Sequence, residues 1–204
     1  MLGRIVQTVA AFALLVYPIA VYVGLTHWDT RTAALGLLVL MVPAALARFG
    51  KHRSSQLKAI AFVPLVTVGL LGLSAALDDA GFVLFVPVIV NLGLLATFVS
   101  TLRWGPSMIE RFARLQEPEL SGAKVAWCRL WTWIWCGFFL LNAGAAAALA
   151  LLAPLGWWTL YNGLIAYGLI GLTFAVEFVW RHLKFGRAPA EALPASQSSG
   201  GTNR

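Results

Sequence analysis

The chain has 204 residues, of which 60% are hydrophobic and only 11% are charged. A soluble domain has about 45–50% apolar and about 25% charged residues, so this composition excludes an ordinary soluble fold and predicts a membrane protein. The formal net charge of +7 does not indicate nucleic-acid binding, because the basic residues lie in short connections and form no basic domain with a reading element.

Six apolar segments follow one another, each close to the roughly 20 residues that a helix needs to cross about 30 Å of hydrocarbon. Their predicted bounds are 5–26, 31–48, 59–76, 82–102, 128–152 and 157–180. The first is interpreted as a retained helix, since no small-x-small cleavage site follows it. The sequence therefore predicts an all-α polytopic membrane protein with six transmembrane helices, forming one domain over residues 1–185.

The 15 Lys and Arg residues alternate between the predicted connections. Fourteen of them lie before the first segment, between the second and third, between the fourth and fifth, or after the sixth, and only Arg31 lies on the other side. Basic residues accumulate in cytoplasmic loops, so we expect a multi-pass protein of the bacterial inner membrane with both termini cytoplasmic. Residues 186–204 are predicted to be a disordered cytoplasmic tail.

Proline and tryptophan mark the predicted helices. Pro18, Pro43, Pro64 and Pro87 fall inside the first four, where each removes a backbone hydrogen bond and favours a kink. The tryptophans are predicted to form two interfacial belts, with Trp28, Trp157 and Trp158 on the outer side and Trp104, Trp127, Trp131 and Trp180 on the inner side.

The inner loop 103–127 contains a predicted short helix. Ser107 and Glu110 match a capping box, and the following residues place apolar side chains on one face with two arginines beside it. We expect this helix to lie on the inner membrane surface; a solvated connector is the alternative. Its residues are Met108, Ile109, Arg111, Phe112, Arg114 and Leu115.

Two asparagines lie deep in apolar segments. Asn91 is in the fourth and Asn142 in the fifth, and an amide at that depth needs a partner. A hydrogen bond between them would hold the bundle together; a substrate contact is the sharper alternative.

Glu177 is the one acidic residue well inside an apolar segment, and Arg181 follows it at i+4. A hydrated Glu177–Arg181 pair is the favoured interpretation, and a proton or cation site is the alternative. The sequence has no hydrolase, metalloprotease or nucleotide-binding motif, so we expect neither an enzyme nor a bound cofactor or metal. Cys128 and Cys136 are predicted to be packing residues.

Small residues form one face of the fifth segment, where Gly137 and Gly144 are seven residues apart. With Gly163, Gly168 and Gly171 of the sixth segment, they predict a tight antiparallel hairpin of the last two helices. A homodimer seam is the alternative use of the same residues.

The order of these features resembles the septation protein A family (YciB-type) over about residues 10–182. The resemblance rests on Thr32-Ala33-Ala34-Leu35, Pro106-Ser107-Met108-Ile109-Glu110-Arg111-Phe112, Trp127-Cys128-Arg129-Leu130, Trp135, Phe138-Phe139, Pro154, Trp158 and Trp180-Arg181-His182. The chain departs from the family's pattern at Asn162, where the family usually has Lys, at Ala146, where it has Asn nearby, and at Glu177, which replaces a small residue.

The resemblance implies a non-enzymatic inner-membrane protein that supports septation or envelope maintenance through contacts with other inner-membrane proteins and the lipid bilayer. The departures also fit a sister group of predicted membrane proteins that accompany aryl-polyene or fatty-acid-type biosynthesis genes. A small transporter or flippase, or an accessory subunit for a lipid-linked product, is the alternative function.

Overall fold

The computed structural model describes residues 16–49 and 62–185, and the regular secondary structure in these ranges is entirely helical. Among the described residues, three helices are long and apolar enough to cross a membrane: Val86–Arg103, Gly122–Leu152 and Leu155–Phe185. The predicted all-α class and membrane character are therefore supported by the fold.

Nine helices are labelled here in chain order within the described ranges. They are α1 (16–27), α2 (Thr30–Phe49), α3 (Phe62–Leu77), α4 (Gly81–Leu84), α5 (Val86–Arg103), α6 (Met108–Ala113), α7 (Gly122–Leu152), α8 (Leu155–Leu160) and α9 (Ala166–Phe185). A π-helical turn at Tyr161–Ile165 joins α8 to α9 without a break. The chain divides after Leu169 into two units, the second of which contains the rest of α9.

Two packed pairs of helices build the first unit, α2 with α3 and α5 with α7. The larger core cluster draws on α1 to α5 and α8, and its fully buried members include Val21, Leu71 and Val83. Between α5 and α7, Phe98 meets Phe139 edge to face, with ring centroids 5.0 Å apart. The short α6 packs against α7.

The observed bounds differ most from the predicted ones in three helices. The sixth predicted segment, 157–180, is helical from Leu155 to Phe185. The fifth predicted segment begins at Gly122 rather than at 128, because the Ser121 side chain accepts a hydrogen bond from the Lys124 N–H and caps the helix there. The fourth predicted segment is interrupted at Phe85, between α4 and α5. Predicted residues 5–15, 59–61 and 186–204 lie outside the described ranges.

Pro87 explains the interruption at Phe85. It occupies the first turn of α5, where its missing N–H costs least, but that N–H would otherwise bond to the Val83 carbonyl four residues earlier. The Tyr17 hydroxyl of α1 donates to this carbonyl oxygen at 2.9 Å. The Trp158 indole of α8 donates to the next carbonyl oxygen, that of Leu84, at 3.1 Å. Backbone groups within hydrocarbon must be satisfied inside the protein, so the bonds at the break join α1 and α8 to the end of α4.

Four of the seven tryptophans assigned to the predicted belts have the exposure that a belt requires, and three do not. Trp28, Trp157, Trp104 and Trp180 are at least half exposed, as an interfacial side chain must be. Trp158, Trp127 and Trp131 are 1%, 5% and 3% exposed, so they belong to the protein interior and not to a belt. Their depth follows from packing: Trp158 reaches the α4–α5 break, and Trp127 packs against Trp131 with centroids 5.8 Å apart.

The glycine face of α7 is open. A Cβ placed on Gly137 or Gly144 would meet no atom within 4 Å, and the leucine between them, Leu141, is 76% exposed. The predicted close approach of another helix of this chain is therefore absent at these two described positions. In the sixth predicted segment, Gly163 does meet a neighbour, since its Cβ would lie 3.4 Å from the Pro18 side chain of α1.

Candidate functional site

Three polar side chains form a hydrogen-bonded series inside the helical bundle. The Tyr161 hydroxyl donates to Asn142 Oδ1 at 2.8 Å, and Asn142 Nδ2 donates to Asn91 Oδ1 at 3.1 Å. Asn91 Nδ2 then donates to the Pro87 carbonyl at 2.8 Å. We call Asn91, Asn142 and Tyr161 the amide chain. Its central bond confirms the predicted contact between the two asparagines.

The helices bring the amide chain together at a defined depth. Asn91 lies five residues after the start of α5, and Tyr161 six residues after the start of α8, which is about 8–9 Å along each axis. Asn142 lies ten residues before the end of α7, or about 15 Å from it. Both asparagines are buried, at 8% and 6% exposed.

The π-helical turn begins at the tyrosine of the amide chain. The Ala166 N–H bonds to the Tyr161 carbonyl five residues earlier, so the turn holds one residue more than an α-helical turn. The next residue, Asn162, is buried and donates to the Trp158 carbonyl at 2.9 Å. Single π-helical turns are rare and occur frequently at functional sites. This turn could not be predicted, because its residues, Tyr-Asn-Gly-Leu-Ile, form no distinctive pattern.

The amide chain joins helices and holds no acid–base pair. It links α5, α7 and the π-helical turn by neutral hydrogen bonds, each of which contributes about 0.6 kcal/mol on average in a membrane bundle. Within the described residues, no three His, Cys, Asp or Glu side chains are placed to hold a metal ion.

Glu177 and Arg181 lie one turn apart on α9, in the second unit of the chain. Glu177 is 9% exposed, so its carboxyl is deeply placed for an acidic residue. The proposed pairing of Glu177 with Arg181, and the proton or cation site that was its alternative, stay predictions.

The predicted helix of the inner loop is present as α6. Met108 is fully buried and Ile109 is 6% exposed, and the Ile109 N–H donates to Thr132 Oγ1 of α7 at 3.3 Å. These two apolar residues therefore pack within the protein. Phe112 is half-buried, and Leu115, just past the helix, is 55% exposed. Contact of this segment with a membrane surface stays a prediction that rests on these outer residues.

Glu110 caps the helix as predicted and also forms an ion pair with Arg114 that was not predicted. Its Oε2 accepts from the Ser107 N–H at 3.3 Å, which is the expected glutamate half of the capping box. Its Oε1 accepts from Arg114 Nε at 2.9 Å and Nη2 at 2.7 Å. The i,i+4 spacing was the available signal. Arg114 Nη1 also donates to the Pro118 carbonyl, and Arg111 Nε to that of Pro106, so both predicted flanking arginines hold the loop.

At the predicted outer end, the start of α2 is hydrogen-bonded to the end of α3 and the residue that follows it. The Arg31 N–H donates to Asp78 Oδ1 and its Nε to the Ala75 carbonyl, both at 3.0 Å. Asp29 begins α2, and hydrogen bonds from the Thr32 side chain and the Thr32 N–H hold the pKa of its carboxyl below the usual value. The pair α2–α3 is thus closed at this end by polar contacts.

Comparison with known proteins gives no identity for this arrangement. No family model, no curated protein and no solved structure matches the chain. The resemblance to the septation protein A family therefore stays a prediction, carried by the residues quoted for it.

Proposed function

We propose that this chain is a non-enzymatic, multi-pass protein of the bacterial inner membrane that works through lateral contacts with other membrane proteins. The amide chain is the observation that carries the proposal. The oxygen atoms of Asn91 and Asn142 accept bonds from neighbouring helices, so the deep polar groups are used to hold the bundle. Septation or envelope maintenance is the process that the family resemblance implies.

We propose six spans with both termini in the cytoplasm. α2 has 20 residues, enough to cross about 30 Å, and α3 already has 16 from Phe62 onward. A reporter fused after Arg187 should read cytoplasmic, whereas reporters near Asp78 and Gly156 should read periplasmic. A periplasmic reading after Arg187 would contradict the six-span arrangement.

The open face of α7 is the surface we propose for lateral contact. It presents Leu141 between Gly137 and Gly144, and a Cβ placed on either glycine would have no neighbouring helix of the described residues within 4 Å. A glycine inside a helix costs about 1 kcal/mol relative to alanine, and in a membrane it repays this cost where another helix approaches closely.

A photo-crosslinking amino acid at Leu141 tests this surface. Val39 of α2 is the matched control, since both side chains are apolar and 76% exposed. We expect a discrete protein adduct from position 141, lost in Gly144→Leu because the new side chain fills the open space, and only lipid adducts from position 39. Lipid adducts alone from both positions would contradict the proposal.

The identity of the adduct separates the remaining roles. Division or peptidoglycan proteins support the septation role, and a second copy of this chain supports the homodimer. Ketosynthase or acyl-carrier partners support an accessory subunit for an aryl-polyene or lipid-linked product.

The π-helical turn favours a second candidate, a small transporter or flippase, since irregular helices build transport sites. Glu177→Gln distinguishes the two in a complementation assay. We expect activity to survive, because lateral contacts between helices do not require the carboxylate. Loss of activity at normal membrane levels would favour the transporter, since a proton or cation site requires the carboxylate.

A further inference from the structure

Three arginines from successive helices converge on the segment that ends α5. Arg103 is the last residue of α5, Arg111 lies in α6 and Arg129 lies in α7. Arg129 Nη2 donates to the Leu102 carbonyl at 2.9 Å. Arg111 Nε donates to the Pro106 carbonyl, also at 2.9 Å. We call Arg103, Arg111 and Arg129 the arginine cluster, which is distinct from the amide chain and from the open face of α7.

The backbone at the end of α5 explains why these side chains come together. The Leu102 carbonyl lies in the last turn of the helix, where carbonyls lack a partner within the helix. Pro106, four residues later, has no N–H to offer it, so the Arg129 guanidinium takes that place. Gly105 turns the backbone with a φ of +87°, which favours glycine, and Arg111 Nη2 lies 3.7 Å from the position of a Cβ there. The residues that anchor the two guanidiniums have Cα atoms at most about 14 Å apart.

No carboxylate of the described residues neutralises the arginine cluster. The two ion pairs within 16–49 and 62–185 join Arg114 to Glu110 and Lys124 to Glu117, so these two carboxylates already have cations. Each anchored guanidinium has five N–H groups and uses one of them in the bonds described above. Three positive charges at one helix end repel one another, and an anion between them relieves this repulsion.

The arginine cluster lies where a membrane places phosphate groups. α5 has 18 residues and is about 27 Å long, so its last residue lies near one boundary of the roughly 30 Å of hydrocarbon. Trp104, the next residue, is 69% exposed, as an interfacial indole must be. The predicted orientation places this end at the cytoplasmic leaflet, where anionic lipids accumulate. The anion that this position offers is a lipid phosphate.

We propose that the arginine cluster binds the phosphate group of an anionic phospholipid. A guanidinium presents paired N–H donors that match two phosphate oxygens. The backbone bonds fix Arg111 and Arg129, so their remaining N–H groups are held in place before the lipid arrives. Arg103 is exposed and supplies the third charge from the end of α5. The same three charges repel the ammonium group of a zwitterionic lipid. This site does not depend on the proposed function.

Native mass spectrometry of the full chain in mild detergent tests the site. The probes are phosphatidylglycerol and phosphatidylethanolamine with identical acyl chains, added at equal concentration. We expect the wild-type chain to retain the glycerol lipid about fivefold more, because the two headgroups differ by one unit of charge.

A second arm adds inorganic phosphate in large excess. We expect the glycerol lipid to stay bound, because its acyl chains hold it in the micelle beside the arginine cluster. Displacement of the lipid by phosphate would assign the site to a soluble anion and would overturn the lipid proposal.

Three variants separate the site from overall charge. Arg103→Gln breaks no described bond and should lower the preference to about threefold, since two of the three charges remain. Arg111→Lys keeps the charge and loses the paired donors, so it should lower the preference as well. Lys124→Gln is the matched control, because it removes one charge at the same end of the protein from a side chain that is paired with Glu117. It should keep the preference.

Equal retention of the two lipids by the wild-type chain would overturn the proposal. So would an equal loss of preference in Lys124→Gln and Arg103→Gln, since the lipid would then respond to overall charge. A full preference in Arg111→Lys would also overturn it, because a site built from guanidinium donors requires them.

Discussion

Tyr161 and Asn142 should be energetically coupled, because the only bond described between them crosses from the π-helical turn to α7. Tyr161→Phe removes the 2.8 Å hydrogen bond to Asn142 Oδ1 and keeps the ring. Asn142→Ala removes that bond together with the 3.1 Å bond to Asn91. Each interhelical bond contributes about 0.6 kcal/mol on average and up to about 1.7.

The expected costs follow from this count of bonds. Tyr161→Phe should lower the free energy of unfolding by about 0.6–1.7 kcal/mol. Asn142→Ala should lower it by about 1–3 kcal/mol, since it also leaves the buried Asn91 oxygen without a donor. In the double variant the tyrosine change removes no further bond, so the coupling energy should be about 0.6–1.7 kcal/mol.

A double-mutant cycle measures this coupling. Unfolding in mixed micelles with increasing dodecyl sulfate, followed by the fluorescence of the nine tryptophans, gives the four free energies. The matched control pairs Asn142→Ala with Tyr22→Phe, which alters a tyrosine that is 41% exposed on α1; these two changes should be additive within about 0.3–0.5 kcal/mol. A Tyr161–Asn142 coupling no larger than that of the control would refute the reasoning.

Three further perturbations address the connections between helices. Tyr17→Phe should lower the free energy of unfolding by about 0.5–1.5 kcal/mol, because it removes the hydroxyl that donates to the buried Val83 carbonyl at 2.9 Å; chemical denaturation measures this. Glu110→Gln should loosen the inner loop, because it breaks the pair with Arg114, and protease cleavage there should accelerate. Asp29→Asn should lower the thermal midpoint of unfolding only at pH values at which Asp29 is ionised. A carboxyl with a lowered pKa contributes stability that is lost as pH falls through the folded-state pKa, below the usual 3.8, so the two proteins' thermal midpoints should converge in acid.

Each of these three has an outcome that contradicts it. Unchanged stability in Tyr17→Phe would mean that the Val83 carbonyl has another donor. Equal cleavage of Glu110→Gln and of Glu119→Gln, whose side chain is in no described ion pair, would mean that the pair does not hold the loop. A difference between Asp29→Asn and the wild type that persists at low pH would assign the effect to something other than ionisation.

The features that the sequence predicted are those with a local chemical cause. The apolar segments predicted helices, Ser107 and Glu110 predicted a cap, and the depth of Asn91 and Asn142 predicted their contact. The predicted start at 128 was wrong because the polar start of α7, Gly-Ala-Lys from Gly122, is helical without being apolar.

The features that it could not predict depend on which side of a helix faces protein. Lipid tails are as apolar as leucine side chains, so hydrophobic periodicity does not separate a buried face from a lipid-facing one. Trp127 and Trp158 were for this reason assigned to belts although they are buried. Tyr161 reaches Asn142 from a π-helical turn. Such a turn depends on the side chains packed around it and not on its own sequence.

The break at Pro87 has a consequence for the order in which the protein is assembled during synthesis. The Leu84 carbonyl bonds to Trp158, which is made 74 residues later, whereas the partner of Val83, Tyr17, is already present when α4 emerges from the ribosome. A nascent chain that has inserted α5 but not α8 therefore carries one backbone carbonyl that still lacks its final donor. The Leu84 carbonyl gains its final donor only when α8 has packed against α4. A chain truncated before Trp158 should therefore be degraded by membrane quality-control proteases.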